Sequence, residues 1–176
     1  MFSDLPQIVP QKICLSCQGC CRFKEASSLW RPKVTPKEVQ NIPVGEDKKT
    51  LTNALLKDSH IATVHEQGQH RCTFLNLGNS KCGIYACRPF ECRFYPFLLT
   101  QKDSDIVISV HLNCPYVQES RYSAEFVNHL TVLKTYLAQD KIFRFLKNNP
   151  FMMGDYSGCM DEIEELFILK EEAFSS

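Results

Sequence analysis

The stretch CLSCQGCC, from Cys14 to Cys21, places four thiols within eight residues. Thiols three residues apart can converge on one centre when the backbone between them loops around it. Gly19 is suited to such a loop because glycine tolerates positive φ angles. C-x2-C alone occurs in zinc ribbons, thioredoxin-like sites and iron–sulfur proteins, whereas C-x2-C-x2-C is the spacing of bacterial four-iron ferredoxins. The neighbours Cys20 and Cys21 cannot both aim comfortably at one metal, but they can serve two metals, or one metal and one nearby hydrogen bond.

A second group of cysteines lies in the middle of the chain, at Cys72, Cys82, Cys87, Cys92 and Cys114. Arg88 and Arg93 stand among them, and a guanidinium can donate hydrogen bonds to thiolate sulfur and partly neutralise its charge. Both arginines are therefore predicted to contact bound thiolates without being ligands; the alternative is that they pair with Glu91 or other surface carboxylates. Cys114 is followed by Pro115, as is the fourth ligand of ferredoxin motifs. Cys87 is expected to be a spare thiol or an alternative ligand, and the isolated Cys159 is expected to be structural or exposed.

The amino-acid composition indicates which class of protein this chain belongs to. The chain has 176 residues, 44% hydrophobic and 23% charged, as expected of one ordinary globular domain. Its 20 basic and 20 acidic side chains balance, which disfavours nucleic-acid binding driven by net charge. No apolar run reaches the roughly 18 residues of a membrane span, and the first residues lack the pattern of a secretory signal. We therefore expect a cytoplasmic protein with no membrane or nucleic-acid partner, whose cysteines stay reduced and bind metal or carry out redox chemistry.

Local patterns in the first half predict short elements. The stretch Thr35-Pro36-Lys37-Glu38 matches a capping box with proline at the first helical position, and this helix should end before Pro43. A second helix is predicted from Glu46 to about Lys57, and short strands at His60–His65 and Arg71–Leu75.

The second half is predicted to be mainly helical after one hairpin. The hairpin joins Phe94–Thr100 to Ile106–His111, and a long amphipathic helix follows from about Ser123 to Lys147. A last amphipathic helix is predicted over Asp161–Glu172. The expected class is α+β: one small domain, residues 1–176, with a cysteine-rich metal-binding part (10–117) of loops and short strands and a part of packed helices (118–176).

The motif pair C-x2-C-x2-C-C and C-x-I-Y-x-x-R-P-x-x-C-R-x-(aromatic)-P resembles the YkgJ-type cysteine-cluster family of zinc- or iron-chelating proteins. The matching positions are Cys14, Cys17, Cys20 and Cys21, then Cys82, Ile84, Tyr85, Arg88, Pro89, Cys92, Arg93 and Pro96. Cys72 and Cys114 fall where the family places its other cysteines. The resemblance covers about residues 14–116, and Cys87 and Cys159 depart from it. Flagellin lysine-N-methylases carry a similar core in a much longer chain, so that activity is not implied.

The resemblance implies eight metal ligands: Cys14, Cys17, Cys20, Cys21, Cys72, Cys82, Cys92 and Cys114. These thiols could hold two zinc ions, four each, or four of them could hold a 4Fe-4S cluster while the others serve a second metal or redox exchange. The first hypothesis is that the protein binds zinc or iron, where the iron can be part of a 4Fe-4S cluster. The alternative is a redox or accessory protein that uses an iron–sulfur cluster in the modification of a partner protein. No catalytic motif is present.

The histidines are weaker candidates. His60, His65 and His70 follow one another at intervals of five residues, which fits ligand geometry on neither a helix nor a single strand. They are expected to have ordinary surface roles. His111 precedes Cys114 by three residues and is a candidate ligand or hydrogen-bond donor to a ligand.

Overall fold

The computed structural model describes residues 2, 4–17, 19–42 and 58–170. The chain forms two compact units, residues 10–93 and residues 1–9 together with 94–176. Helices and strands are interspersed along the chain, which confirms the α+β class. The predicted single domain, with its internal boundary near residue 117, stays a prediction. None of the described helices is both long enough and apolar enough to cross a lipid bilayer.

Residues 10–93, here called the thiol unit, contain short elements joined by tight turns. In chain order they are α1 (Gln11–Ser16), β1 (Arg22–Phe23), α2 (Pro36–Asn41), β2 (Thr63–Glu66), β3 (Gln69–Cys72), β4 (Leu75–Asn76), β5 (Lys81–Cys82), a 3-10 turn (Tyr85–Cys87) and the start of α3 (Phe90–Phe94). Strands β1, β3 and β2 form an antiparallel sheet with β3 in the centre, and β4 pairs with β5.

The capping box predicted for α2 is confirmed. The Thr35 hydroxyl accepts a hydrogen bond from the Glu38 amide at 3.2 Å, and the Glu38 carboxylate accepts one from the Thr35 amide at 2.8 Å. These bonds satisfy two amides that a helix start leaves without partners. The predicted strands appear with shifted bounds, as β2, β3 and β4. The helix predicted over Glu46–Lys57 lies outside the described residues.

The thiol unit has a small apolar core that includes one predicted ligand. Its buried members are Phe23, Val34, Val39, Ile61, Cys72 and Leu75, with Cys21 and Cys92 among the partly buried side chains packed against them. Full burial of such a side chain stabilises a fold by about 1.5–3 kcal/mol. Because this apolar core is small, other contacts must stabilise much of the thiol unit.

The second unit, residues 1–9 and 94–176, contains the larger sheet. Its elements are β6 (Phe97–Lys102), β7 (Asp105–His111), α4 (Pro115–Ser120), α5 (Ala124–Leu137), α6 (Asp140–Lys147), 3-10 turns at Pro150–Met152 and Ser157–Glu162, and β8 (Ile163–Leu169). The predicted hairpin is confirmed, with β6 and β7 joined by the two-residue turn Asp103–Ser104. Phe94 belongs to α3 instead of the first strand.

The single helix predicted over Ser123–Lys147 is wrong, because the chain forms α5 and α6 with a break at Gln139. Gln139 has extended backbone angles (φ −64°, ψ 130°) and caps α6. The stripe that runs through Phe126 and Leu137 would continue on Asp140 and Arg144, which are polar. Breaking the helix turns the second segment, so that its own apolar residues, Ile142, Phe143 and Leu146, become buried.

The helix predicted over Asp161–Glu172 is also wrong, because residues 163–169 form strand β8. This strand pairs antiparallel with β7, with a bulge between Ile108 and Ser109. The apolar residues of this segment fit a helical stripe, but pairing with β7 satisfies the backbone and buries Ile163 and Leu169 at the same time. A long-range partner outweighs the local pattern here. Residues 171–176 lie outside the described residues.

The side chain of Ser109 can be used to test the burial of strand β7 in the sheet. Its side chain is fully buried in β7, and its hydroxyl has no hydrogen-bond partner within the described residues. An unpaired buried hydroxyl costs about 1–3 kcal/mol. We expect Ser109→Ala to raise the free energy of unfolding in urea by about 1 kcal/mol. Ser123→Ala is the matched control and should lower it by about 1 kcal/mol, since Ser123 accepts the Phe126 amide at the start of α5. A loss of stability in both variants would contradict this account.

Candidate metal centre

Seven of the eight predicted ligands belong to the thiol unit: Cys14, Cys17, Cys20, Cys21, Cys72, Cys82 and Cys92. All of them are free thiols. Cys14 lies in α1, Cys72 ends β3, Cys82 ends β5 and Cys92 lies in the short helix α3. Each of these sulfurs is therefore presented by a different element of the same compact unit.

Backbone pairing brings the first cysteine group to the second. The register of β1 and β3 pairs Arg22 with Arg71, and one residue further the Cys72 amide donates to the Cys21 carbonyl at 2.9 Å. Cys82 is brought in by β5, where it pairs with Leu75, three residues after Cys72. The strand connections thus gather thiols from separate parts of the sequence.

Gly19 acts in a different way from the sequence prediction. Its φ angle is not positive, since Gly68 is the glycine with positive φ among the described residues. The Gly19 amide instead donates to the Cys17 sulfur at 3.4 Å. A Cβ atom at Gly19 would lie 3.5 Å from the same sulfur. The loop therefore curls around Cys17 through a hydrogen bond to sulfur.

Cys20 and Cys21 are linked by a hydrogen bond between their side chains. This bond raises the pKa of Cys20 well above its usual range, with burial adding to the effect. The same bond lowers the pKa of Cys21, and the charges of Arg88 and Arg22 lower it further. Cys21 is therefore the thiol of this pair that more readily becomes a thiolate.

Burial favours the neutral form of three further thiols, those of Cys72, Cys82 and Cys92. Burial raises the pKa of Cys72 to about 12 and raises the pKa values of Cys82 and Cys92 as well. Each of these three thiols also interacts electrostatically with Cys21, and Cys82 does so with Cys14. Cys21 thus lies within interaction range of thiols from both sequence groups.

Arg88 donates hydrogen bonds to residues of the cluster. Its Nη1 donates to the Cys14 sulfur at 3.4 Å and to the Cys92 carbonyl at 3.5 Å. The guanidinium carbon lies 3.8 Å from the centre of the Tyr85 ring, a cation–π contact that fixes its position. Arg93 instead donates to the backbone carbonyls of Arg88 and Ala86, so its observed bonds shape the loop.

Two carboxylates that sequence reasoning did not assign to the site hold the helix that carries Cys92. Glu38 accepts the Phe90 amide at 2.6 Å in addition to its capping-box bonds, and Glu91 accepts the Lys33 amide at 2.6 Å. Burial raises the pKa of Glu91 to about 7. The capping box was the available signal for Glu38, but only the fold shows that the same carboxylate caps a second helix.

Four candidate residues remain: Cys114, His111, Cys87 and Cys159. Cys114 is buried in the second unit, where it precedes α4. His111 contacts the Tyr95 hydroxyl at 3.1 Å and the Glu162 carboxylate at 3.6 Å. The Cys87 thiol donates to the Ile84 carbonyl at 3.5 Å, and Cys159 lies in the 3-10 turn before β8. The roles predicted for these residues, and Cys114 as an eighth ligand, stay predictions.

The set of cysteine thiols is chemically suited to bind zinc or iron. Thiolates are the ligands of structural zinc and of iron–sulfur clusters. Arg22 adds a buried Nε with no hydrogen-bond partner in the described part of the chain, close enough to Cys21 to lower its pKa. In the described residues, however, no three histidine, cysteine, aspartate or glutamate side chains stand so that they could already hold a metal ion. Cys20 bonds to Cys21, and Cys14 accepts from Arg88, so ligation requires these thiols to exchange those contacts for the metal.

The double capping role of Glu38 can be tested by removing one acceptor. Glu38→Gln replaces one carboxylate oxygen by an NH2 group, which leaves amides at the start of α2 or α3 without a partner. We expect it to lower the free energy of unfolding by about 1–3 kcal/mol, measured by guanidinium denaturation of the metal-loaded protein. Lys37→Gln, on the exposed face of the same helix, is the control and should change little. Equal stability of the two variants would refute the role.

The chain was compared with known families, curated proteins and solved structures. Residues 13–124 match the family CxxCxxCC, described as a putative zinc- or iron-chelating domain. No curated protein and no solved structure matches the chain. The matched range covers all of the predicted ligands and confirms the family expected from the two cysteine motifs. With seven of its eight predicted ligands in one unit and a family match over residues 13–124, the chain belongs to the CxxCxxCC family of zinc- or iron-chelating domains.

Proposed function

We propose that the thiol unit holds zinc or iron through the thiolates of Cys14, Cys17, Cys20, Cys21, Cys72, Cys82 and Cys92. The observation that carries this proposal is the position of Cys21, which joins the two cysteine groups: its carbonyl accepts the Cys72 amide at 2.9 Å, and its side chain, like that of Cys92, packs against the core that contains Cys72. Free thiols of this number are uncommon in one small unit unless they bind metal or carry out redox chemistry.

The charge balance favours a bound cation. Several thiolates crowded together repel one another, and burial makes that repulsion stronger. Arg88, which donates to Cys14, and Arg22, whose charge acts on Cys21, offset only part of this negative charge. A zinc ion or an iron–sulfur cluster would supply the rest, so that ionised sulfurs can coexist at short distances.

The metal would also stabilise the fold. The apolar core of the thiol unit is small, and its strands have two to four residues each. In small domains of this kind, metal binding and folding are one event, because the ligand set does not exist in the unfolded chain. A closed thiolate site would accordingly be structural, with no free position for a substrate.

Elemental analysis tests the proposal. We expect protein purified without oxygen to contain zinc or iron. A chelator that removes the metal should unfold the thiol unit, seen as a lower melting temperature and loss of circular dichroism.

Cys92→Ser should reduce the bound metal, whereas Cys87→Ser, matched in residue type and in the same unit, should not. Cys114→Ser decides in the same assay whether that thiol is a ligand. Metal-free protein that is stable and folded would overturn the proposal.

A second candidate function is redox chemistry with a 4Fe-4S cluster, alone or in the modification of a partner protein. The C-x2-C-x2-C spacing of Cys14, Cys17 and Cys20, the ferredoxin pattern, favours it. We expect such protein to be brown, with broad absorbance at roughly 400 nm that dithionite bleaches. A colourless preparation with about two zinc ions per chain would exclude this function and leave the structural role.

A cytoplasmic setting is part of the same proposal. Ten free cysteines fit a reducing compartment, where thiols persist and remain available to metal.

A further inference from the structure

The hairpin formed by β2 and β3 places two histidines side by side. His65 pairs directly with His70 in the antiparallel register, and their ring centres are 4.8 Å apart with the planes inclined at 45°. The turn between the strands consists of Gln67 and Gly68, with φ angles of 53° and 77°. Positive φ at both turn residues is typical of the tight two-residue hairpin.

The hairpin explains a spacing that patterns of a single helix or strand did not explain. An interval of five residues fits ligand geometry on neither a helix nor one strand, but a two-residue turn places residues i and i+5 opposite each other. The signal in the sequence was the glycine between them, in His65-Glu66-Gln67-Gly68-Gln69-His70. Directly opposite side chains in an antiparallel pair have Cβ atoms about 4.5–5.5 Å apart, so both imidazoles project from the same face.

We propose that His65 and His70 form a second metal site, which binds a divalent transition metal such as zinc through two imidazole nitrogens. Zinc–nitrogen bonds of about 2.0–2.1 Å put the centres of two imidazoles on one metal about 5 Å apart. The observed ring separation of 4.8 Å is already of this size. The separation of the two rings is therefore compatible with both imidazoles binding one metal ion.

The surroundings of the pair support an exchangeable site. His65 is exposed, whereas His70 is half-buried and stands opposite the buried ring of Phe23 on strand β1, which limits its movement. The Glu66–Arg71 ion pair is formed by residues that alternate with the histidines along the strands, so it projects from the other face of the sheet. Two protein ligands leave the other positions of the metal to water, unlike a closed four-thiolate site.

The site is distinct from the thiol centre but close to it along the strand. His70 and Cys72 are two residues apart in β3, so they share a face of the sheet roughly 7 Å apart. Any experiment must therefore keep the added metal off the sulfurs. The full chain, purified without oxygen and with its own metal retained, meets this requirement, because the thiolates are then occupied.

The test is a titration of that protein with Zn²⁺, followed through the imidazole nitrogen resonances of the five histidines. We expect His65 and His70 to shift together and to saturate with one added zinc per chain. His65→Asn and His70→Asn should each weaken binding by about tenfold or more. The matched control is His60→Asn, a histidine of the same unit that contacts Asp58, and it should bind like the unaltered chain.

Two results would overturn the inference. One is binding that His65→Asn and His70→Asn leave unchanged. The other is a titration in which the resonances of His65 and His70 do not move while zinc accumulates elsewhere on the chain. Neither result depends on the identity of the metal at the thiol centre, so the failure of this inference and the failure of the proposed function are distinguishable.

Discussion

The hydrogen bond from the Cys72 amide to the Cys21 carbonyl is the contact on which the arrangement of the thiol unit depends. It continues the pairing of β1 with β3 and joins two segments separated by a large part of the chain. Together with the hydrogen bond from Arg88 to the Cys14 sulfur, it connects the C-x2-C-x2-C-C stretch to the second group of thiols. With it, Cys21 lies within interaction range of Cys72, Cys82 and Cys92.

A second layer of polar contacts holds the elements that present the sulfurs. Glu38 caps α2 through Thr35 and accepts the first amide of α3, so one carboxylate ties two helices together. Glu91 adds a bond to the Lys33 backbone. Arg88 lies between the Tyr85 ring and the Cys14 sulfur. Such contacts matter in a unit with few apolar residues, because backbone and side-chain hydrogen bonds must fix positions that packing alone would leave loose.

Burial and charge act against each other at the thiols. Burial favours the neutral form of Cys72 and Cys92, whereas Arg88 and Arg22 favour the thiolate at Cys21. A bound metal ion resolves this conflict, since it replaces the proton on each sulfur that it binds. The His65–His70 pair faces no such conflict, because neutral imidazole is itself the ligand and needs no buried charge.

The sequence by itself determined the family, the candidate ligands, the capped helix at Thr35 and the hairpin of β6 and β7, because each is encoded by residues close together in the chain. The tertiary structure decided what depends on distant partners. Strand β8 forms because β7 offers a partner edge, and the break at Gln139 exists because two apolar stripes must both become buried. The second capping bond of Glu38 and the pairing of His65 with His70 likewise follow from chain reversals. The spacing in the sequence shows which side chains are available to form a site, whereas the pairing of the backbone determines which of them come into contact.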